Sequence, residues 1–297
     1  MAKYSQKVIA LVGAGLAVIA LAGCAANSGQ AASSSLQAAL DAQISLFDVG
    51  LSDAESSGGV TVLQTTSESY CWYRHFGPPS EVSYTILNQD NSSALVRVSR
   101  AVEGSLYYHL MAGSAKRLKY FSQDYSRFAR LTSADGGTTW SLIQLSPGVA
   151  KSTKYSPVLG VGSVACDLTI SRVVLSSNGV VIADISAEAA SGGPWFDLNS
   201  LPKVTRGSTM EIKAYVAAPA GGEVLVYVWP SLITTFRIPL YDEVSGGHSN
   251  SSNCLMVATT ETTGIKRMFV GAFSRETLSD TVSPYNYGAW HLLYQVE

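Results

Sequence analysis

The spacing of apolar and polar residues changes character three times along this chain. Residues 8–21 form an apolar run interrupted only by Gly13 and Gly15. Leu36, Leu40, Ile44, Leu46 and Phe47 then recur at helical intervals, which predicts one helix over about residues 34–47. From residue 60 short β-branched and aromatic runs take over, at 60–63, 83–87, 94–99 and 106–111, and residues 88–91 and 103–104 read as turns between them. The second half repeats the theme at 168–175, 180–185, 210–216, 224–229, 255–259, 266–273 and 289–296. Asn178 and Gly179 predict a tight hairpin between the first two of these.

Many short strands without alternating helices predict an all-β fold. The expected arrangement is two β-sandwich-like domains, residues 60–155 and 156–297, the second immunoglobulin-like in strand pattern. Composition supports a folded body, since 46% of the chain is hydrophobic and only 14% charged. A net charge of −2 with no basic block argues against nucleic acid as a partner.

The first residues carry a different message. Lys3 and Lys7 precede the apolar run, and the small residues Ala22 and Gly23 follow it. A charged start, an apolar middle and a small-residue end are the parts of an export signal. The run falls short of the ~20 apolar residues that a stable span needs. Leu21, Ala22, Gly23 and Cys24 together resemble the lipobox of bacterial lipoproteins. That resemblance implies a signal peptide over 1–23, diacylglycerol transfer to Cys24, cleavage before it, and a membrane partnership made through the lipid. Loss of Lys3 and Lys7 takes the net charge from −2 to −4. Residues 24–59 then form a lipidated tether and the short helix. Ala25 follows the cysteine in place of a retaining aspartate. The expected location is the cell envelope: the outer membrane of a Gram-negative source, or the outer face of the plasma membrane of a Gram-positive one.

Export permits disulfides. Cys166 and Cys254 lie in strand-like segments of the second half and form the expected pair, leaving Cys71 over. No cysteine has metal-ligand spacing, and His75, His109, His248 and His291 are scattered, so neither metal nor cofactor is expected.

Ser133, Asp135, Gly137 and Trp140 resemble the Asp box, Ser/Thr-x-Asp-x-Gly-x-x-aromatic, of sialidases and related β-propellers. The resemblance implies a structural turn and no catalysis. In it Asp135 accepts turn amides, Gly137 takes positive φ and Trp140 returns to the core. Residues 236–239 are similar to the Phe/Tyr-Arg-Ile-Pro segment of sialidases, whose arginine grips a carboxylate. Here that segment follows the Asp-box stretch instead of preceding it, and only 297 − 239 = 58 residues remain for further blades. An edge strand ended by Pro239 is the simpler account.

Trp72, Tyr73 and Arg74 in one aromatic run, and Tyr285, Tyr287 and Trp290 in another, are the candidate binding residues. They would offer ring faces and a cation to a sugar or peptide. Strand alternation nevertheless buries half of any such run, so core packing competes with that role. The sequence places neither a nucleophile elbow nor a pair of acid/base carboxylates. The expected function is a non-enzymatic, β-rich ectodomain that binds a protein or glycan partner at the cell envelope. A carbohydrate-active hydrolase and a structural component of an envelope or secretion assembly are the alternatives.

Overall fold

A computed structural model describes residues 30–31, 34–47, 61–64, 69–110, 115–187, 194–218, 224–230, 238–242, 251–257 and 263–297. The chain is all-β with three short helices among these residues. Its first half holds β1 (Gln30–Ala31), α1 (Ser34–Asp41), α2 (Ile44–Phe47), β2 (Thr61–Gln64), β3 (Ser69–Phe76), β4 (Ser83–Gln89), β5 (Ser93–Leu110), β6 (Arg117–Thr132), β7 (Ser141–Leu145) and β8 (Gly148–Thr153). Its second half holds β9 (Thr169–Ser177), β10 (Val180–Ser186), β11 (Phe196–Asp197), β12 (Lys203–Val204), β13 (Thr209–Ala217), β14 (Val224–Pro230), β15 (Ile238–Asp242), β16 (Ser251–Val257), β17 (Gly264–Ser274), α3 (Arg275–Ser279) and β18 (Tyr287–Val296).

One antiparallel ladder runs β3–β5–β6–β8–β18–β17–β14–β15. It curls until its two ends meet, because the Trp72 ring on β3 lies 5.0 Å from Tyr227 on β14 and 4.8 Å from Phe273 on β17. A second ladder, β10–β9–β13–β16–β15, shares β15 with the first. Even-numbered residues of the central strands (Val226, Val228, Met268, Val270, Leu292) pack on Ile170, Val173, Met210 and Ile212 of this second sheet. Odd-numbered ones (Leu225, Tyr227, Phe273, Tyr287, Ala289) pack inside the curl with Trp72, Leu106, Tyr108 and Phe121. β18 is therefore covered on both faces, which explains why its sequence shows no apolar/polar alternation. The boundary expected between residues 155 and 156 is crossed by the β8–β18 ladder, and Ser163 bridges both to Tyr155 and to Tyr285.

Local expectations meet the structure in different ways. The helical run becomes α1 and α2, with Leu36, Leu40 and Phe47 buried. The last α2 carbonyls find donors on the sheet: Arg267 gives Ser45 a 2.9 Å bond and Arg127 gives Leu46 one of 2.6 Å. α3 is held in the same manner, by Lys119 on the Thr277 and Glu276 carbonyls (2.6 and 3.1 Å) and by Arg117 on Ser279 (3.2 Å). Burial pulls the Lys119 ammonium down to about 8. Asn178 (φ 49°) and Gly179 (φ 77°) make the β9–β10 turn as predicted. Residues 103–104 are not a turn. β5 runs straight through them as one 18-residue strand. Gly104 is there for close approach: a Cβ at that position would meet the His75 carbonyl oxygen at 2.4 Å and the Phe121 ring at 2.6 Å.

Candidate functional site

The paired aromatic runs do not form a surface patch. Trp72, Arg74, Tyr285, Tyr287 and Trp290 are all buried, the first four because the curl closes over them and Trp290 because it packs in the core between the two sheets. Arg74 lies among rings, 4.5 Å from the Tyr287 centroid and 5.0 Å from that of Phe76, and donates to the Tyr285 hydroxyl at 3.2 Å. These five residues are core, and the expected binding role is corrected for them. Tyr73 points to the outer face and is half-buried. Its ring stacks on Tyr107 at 4.9 Å, with the Lys116 ammonium over both rings.

The Asp135 turn has the geometry that its residue types require. Asp135 accepts from Ser133 Oγ (2.8 Å), Thr138 N (3.1 Å), Thr139 N (2.9 Å) and Thr139 Oγ1 (2.6 Å). Gly137 takes φ 94°, and Trp140 enters the core while its indole N–H bonds the Gly137 carbonyl at 3.1 Å. Hydrogen bonding, from Thr139 first, holds the Asp135 carboxyl at about 2. Its contribution is present above the ordinary carboxylate range and disappears as pH falls toward 2. Asp135→Ala is expected to lower the thermal midpoint at pH 7 by more than at pH 2. An equal midpoint for wild type and variant at pH 7 would show that the turn closes without the carboxylate.

The expected disulfide does not form. Cys166 is a free thiol whose Sγ lies 3.6 Å from the Leu168 carbonyl oxygen. The backbone register gives the reason. Cys254 pairs with Ile212, which pairs with Leu175, so it lies two strand spacings from β9 and level with Leu175, a residue 175 − 166 = 9 positions along the chain from Cys166. Two spacings alone are roughly 10 Å, beyond disulfide reach. Cys24 and Arg237 lie outside the described residues.

A cleft of about 520 Å³ opens on the outer face of the curl. That volume falls within the roughly 300–1,000 Å³ range of ligand pockets. Strand pairing builds its floor: His75 of β3 opposes Ser105 of β5, Ser105 opposes Tyr120 of β6, and Glu103 opposes Ser122. The chain between β3 and β4 forms one side, where Gly77 N bonds Glu103 O (2.8 Å) and Ser80 N bonds Ala101 O (2.9 Å). Tyr155 forms the other side, fixed by paired 3.0 Å backbone bonds to Ser163. Gly160, at φ 99°, lets the same loop lie against Tyr120, since a Cβ there would be 3.1 Å from the ring. The side chains of Glu103, Ser105, Tyr120, Ser122 and Tyr155 hydrogen-bond to no described residue, so their polar atoms are available to a ligand. The Tyr73–Tyr107 stack lies one row along the same face, two residues from His75 and Ser105.

Sequence reasoning missed this cleft. Its residues come from three strands and a loop, and no spacing in the chain joins them. Tyr73 is the one candidate binding residue on the same face. Among the described residues no three His, Cys, Asp or Glu side chains gather as a metal site. Comparison with protein families finds no matching model, and comparison with curated proteins and with solved structures finds no match.

Proposed function

We propose that this chain is an exported, lipid-anchored binding protein of a bacterial cell envelope, which displays a β body and recognises its partner through the cleft between Tyr155 and His75. The lipobox-like stretch ending in Cys24 supports the anchor. The observation that carries the binding role is the cleft, where four polar side chains with unspent hydrogen-bonding capacity stand on a paired strand floor and a fifth, Tyr155, stands at its side. A floor made of three mutually paired strands is pre-organised, so a ligand is not charged the cost of ordering it.

Two measurements test the two halves of this reading separately. Cells fed a fatty-acid probe should label the wild-type chain and leave Cys24→Ser unlabelled; equal labelling removes the anchor. In amide hydrogen exchange, adding a solubilised envelope extract to the detergent-extracted chain should slow exchange in residues 99–105, 118–122 and 153–157. Slowing confined to other segments, or none at all, removes the cleft as the binding surface.

A further inference from the structure

We propose that the cleft takes carbohydrate, in the form of a neutral oligosaccharide; this deepens the binding role and rests on it. Three features of the lining select the ligand class. First, the backbone is spent. Glu103 O is taken by Gly77 N, Ala101 O by Ser80 N, and Ala101 N by Ser80 Oγ at 2.8 Å. An extended peptide adding itself as a strand would find those groups occupied. Second, the charge is wrong for an anion. Among the described residues the lining holds the Glu103 carboxylate and no lysine or arginine, so a phosphate, nucleotide or acidic sugar entering it meets that negative charge, while Arg100 beside it is engaged on the Ser80 carbonyl at 2.9 Å. Third, the surface mixes ring and hydroxyl. Tyr120 and Tyr155 bring aromatic rings, while Ser105, Ser122 and Glu103 bring an acceptor and rotating donors close beside them. A sugar presents the matching combination, an apolar C–H face edged by hydroxyls. The Tyr73–Tyr107 row lies two strand positions along the same face with the Lys116 ammonium over both rings, so the ring contacts offered to a sugar are those of Tyr120 and Tyr155 in the cleft itself.

Glu103 and Tyr155 are assigned ligand-binding roles in this site. Tyr155→Ala leaves the loop in place, because the loop is held by backbone bonds to Ser163. Glu103→Gln keeps the shape and removes the charge.

The test is a printed glycan array probed with the full chain in a zwitterionic, sugar-free detergent, followed by calorimetric titration of the best neutral hit. At least one neutral oligosaccharide is expected to bind. Glu103→Gln and Tyr155→Ala should each weaken that binding about tenfold or more, the scale of one lost charged hydrogen bond or ring contact. Asp184→Asn, on β10 of the other sheet, should leave it unchanged. Both cleft variants must keep the wild-type thermal midpoint to within a few degrees; if either does not, Ser122→Ala is titrated in its place with the same expectation. Sialylated glycans should bind more weakly than their neutral parents. The proposal is overturned if no neutral glycan binds, if acidic glycans are preferred, or if the cleft variants bind like wild type. Should the envelope extract slow exchange in the cleft while no glycan binds, the binding role stands and the carbohydrate assignment falls.

Discussion

Replacing Trp72 by alanine is expected to destabilise the fold by about 3–5 kcal/mol, the usual cost of emptying a large buried aromatic site. The indole is 1% exposed and stands edge-on to two rings, Tyr227 at an interplanar angle of 64° and Phe273 at 86°. Edge-to-face contacts of this kind add to the area that burial removes from water. Position matters more than size. Trp72 lies on β3 and its two partners on β14 and β17, so the ring bridges the two ends of the curled ladder. Its loss leaves a cavity where the curl closes, and the strands around it are fixed by their ladders and collapse only in part. Tyr73→Ala, one residue away and facing outward, should cost far less. Equilibrium urea denaturation of both variants makes the comparison directly. A loss below about 1 kcal/mol at Trp72, or equal losses at the two positions, would mean that the curl is not closed through this ring.

That contrast also marks where the sequence stopped being readable. Chemistry that acts within a few residues was legible. The apolar period of 34–47 produced α1 and α2, Asn178 and Gly179 produced a hairpin turn, and Asp135, Gly137 and Trp140 produced the folded turn after β6. Choices made by distant partners were not. Alternation along 70–76 says that half the residues point inward, but only the curl decides that Trp72 and Arg74 do so and Tyr73 does not. Gly104 has the same local signature whether it bends the chain or admits a neighbouring carbonyl, and β3 and β6 select the second. The pairing expected for Cys166 failed for a related reason, since Cys166 precedes the start of β9 and Cys254 lies on β16, with β13 between the two strands. The cleft is the extreme case. Its serines, glycines and tyrosines are ordinary residues individually, and they acquire a purpose only when β3, β5, β6 and the Tyr155 loop are set side by side.

Lowering the pH from 7 to 5 is expected to remove stability through His291, the loss beginning as the pH falls through the ordinary histidine value of 6.5. The imidazole is 1% exposed, stacks on Phe269 at 4.4 Å and shares a 3.1 Å bond with the Tyr125 hydroxyl, while its Nε2 is buried with no partner among the described residues. Burial above all, then the positive charges of Arg127 and Arg267, holds its pKa well below 6.5. Arg127 cannot move away, because its guanidinium is itself fully buried and bonds the carbonyls of Leu46 and His291 at 2.6 and 2.8 Å. A proton on His291 would therefore put a second cation beside a fixed one in a dry interior. The direction follows from where the proton binds. Between the folded value and 6.5 the unfolded chain holds a proton that the native state refuses, so stability is complete above 6.5 and falls as pH drops. The carboxylates do not blur this window: Asp90 and Asp135 are held at about 2 and Asp184 and Asp280 are lowered as well, so their contributions are lost only below about pH 4. Urea denaturation at half-unit steps from pH 7 to 4.5 should show the slope in wild type and a flatter line in His291→Gln, which carries no titrating ring. A wild-type line that stays level over that range, or a variant that keeps the full slope, would mean that the buried imidazole accepts its proton in the folded state.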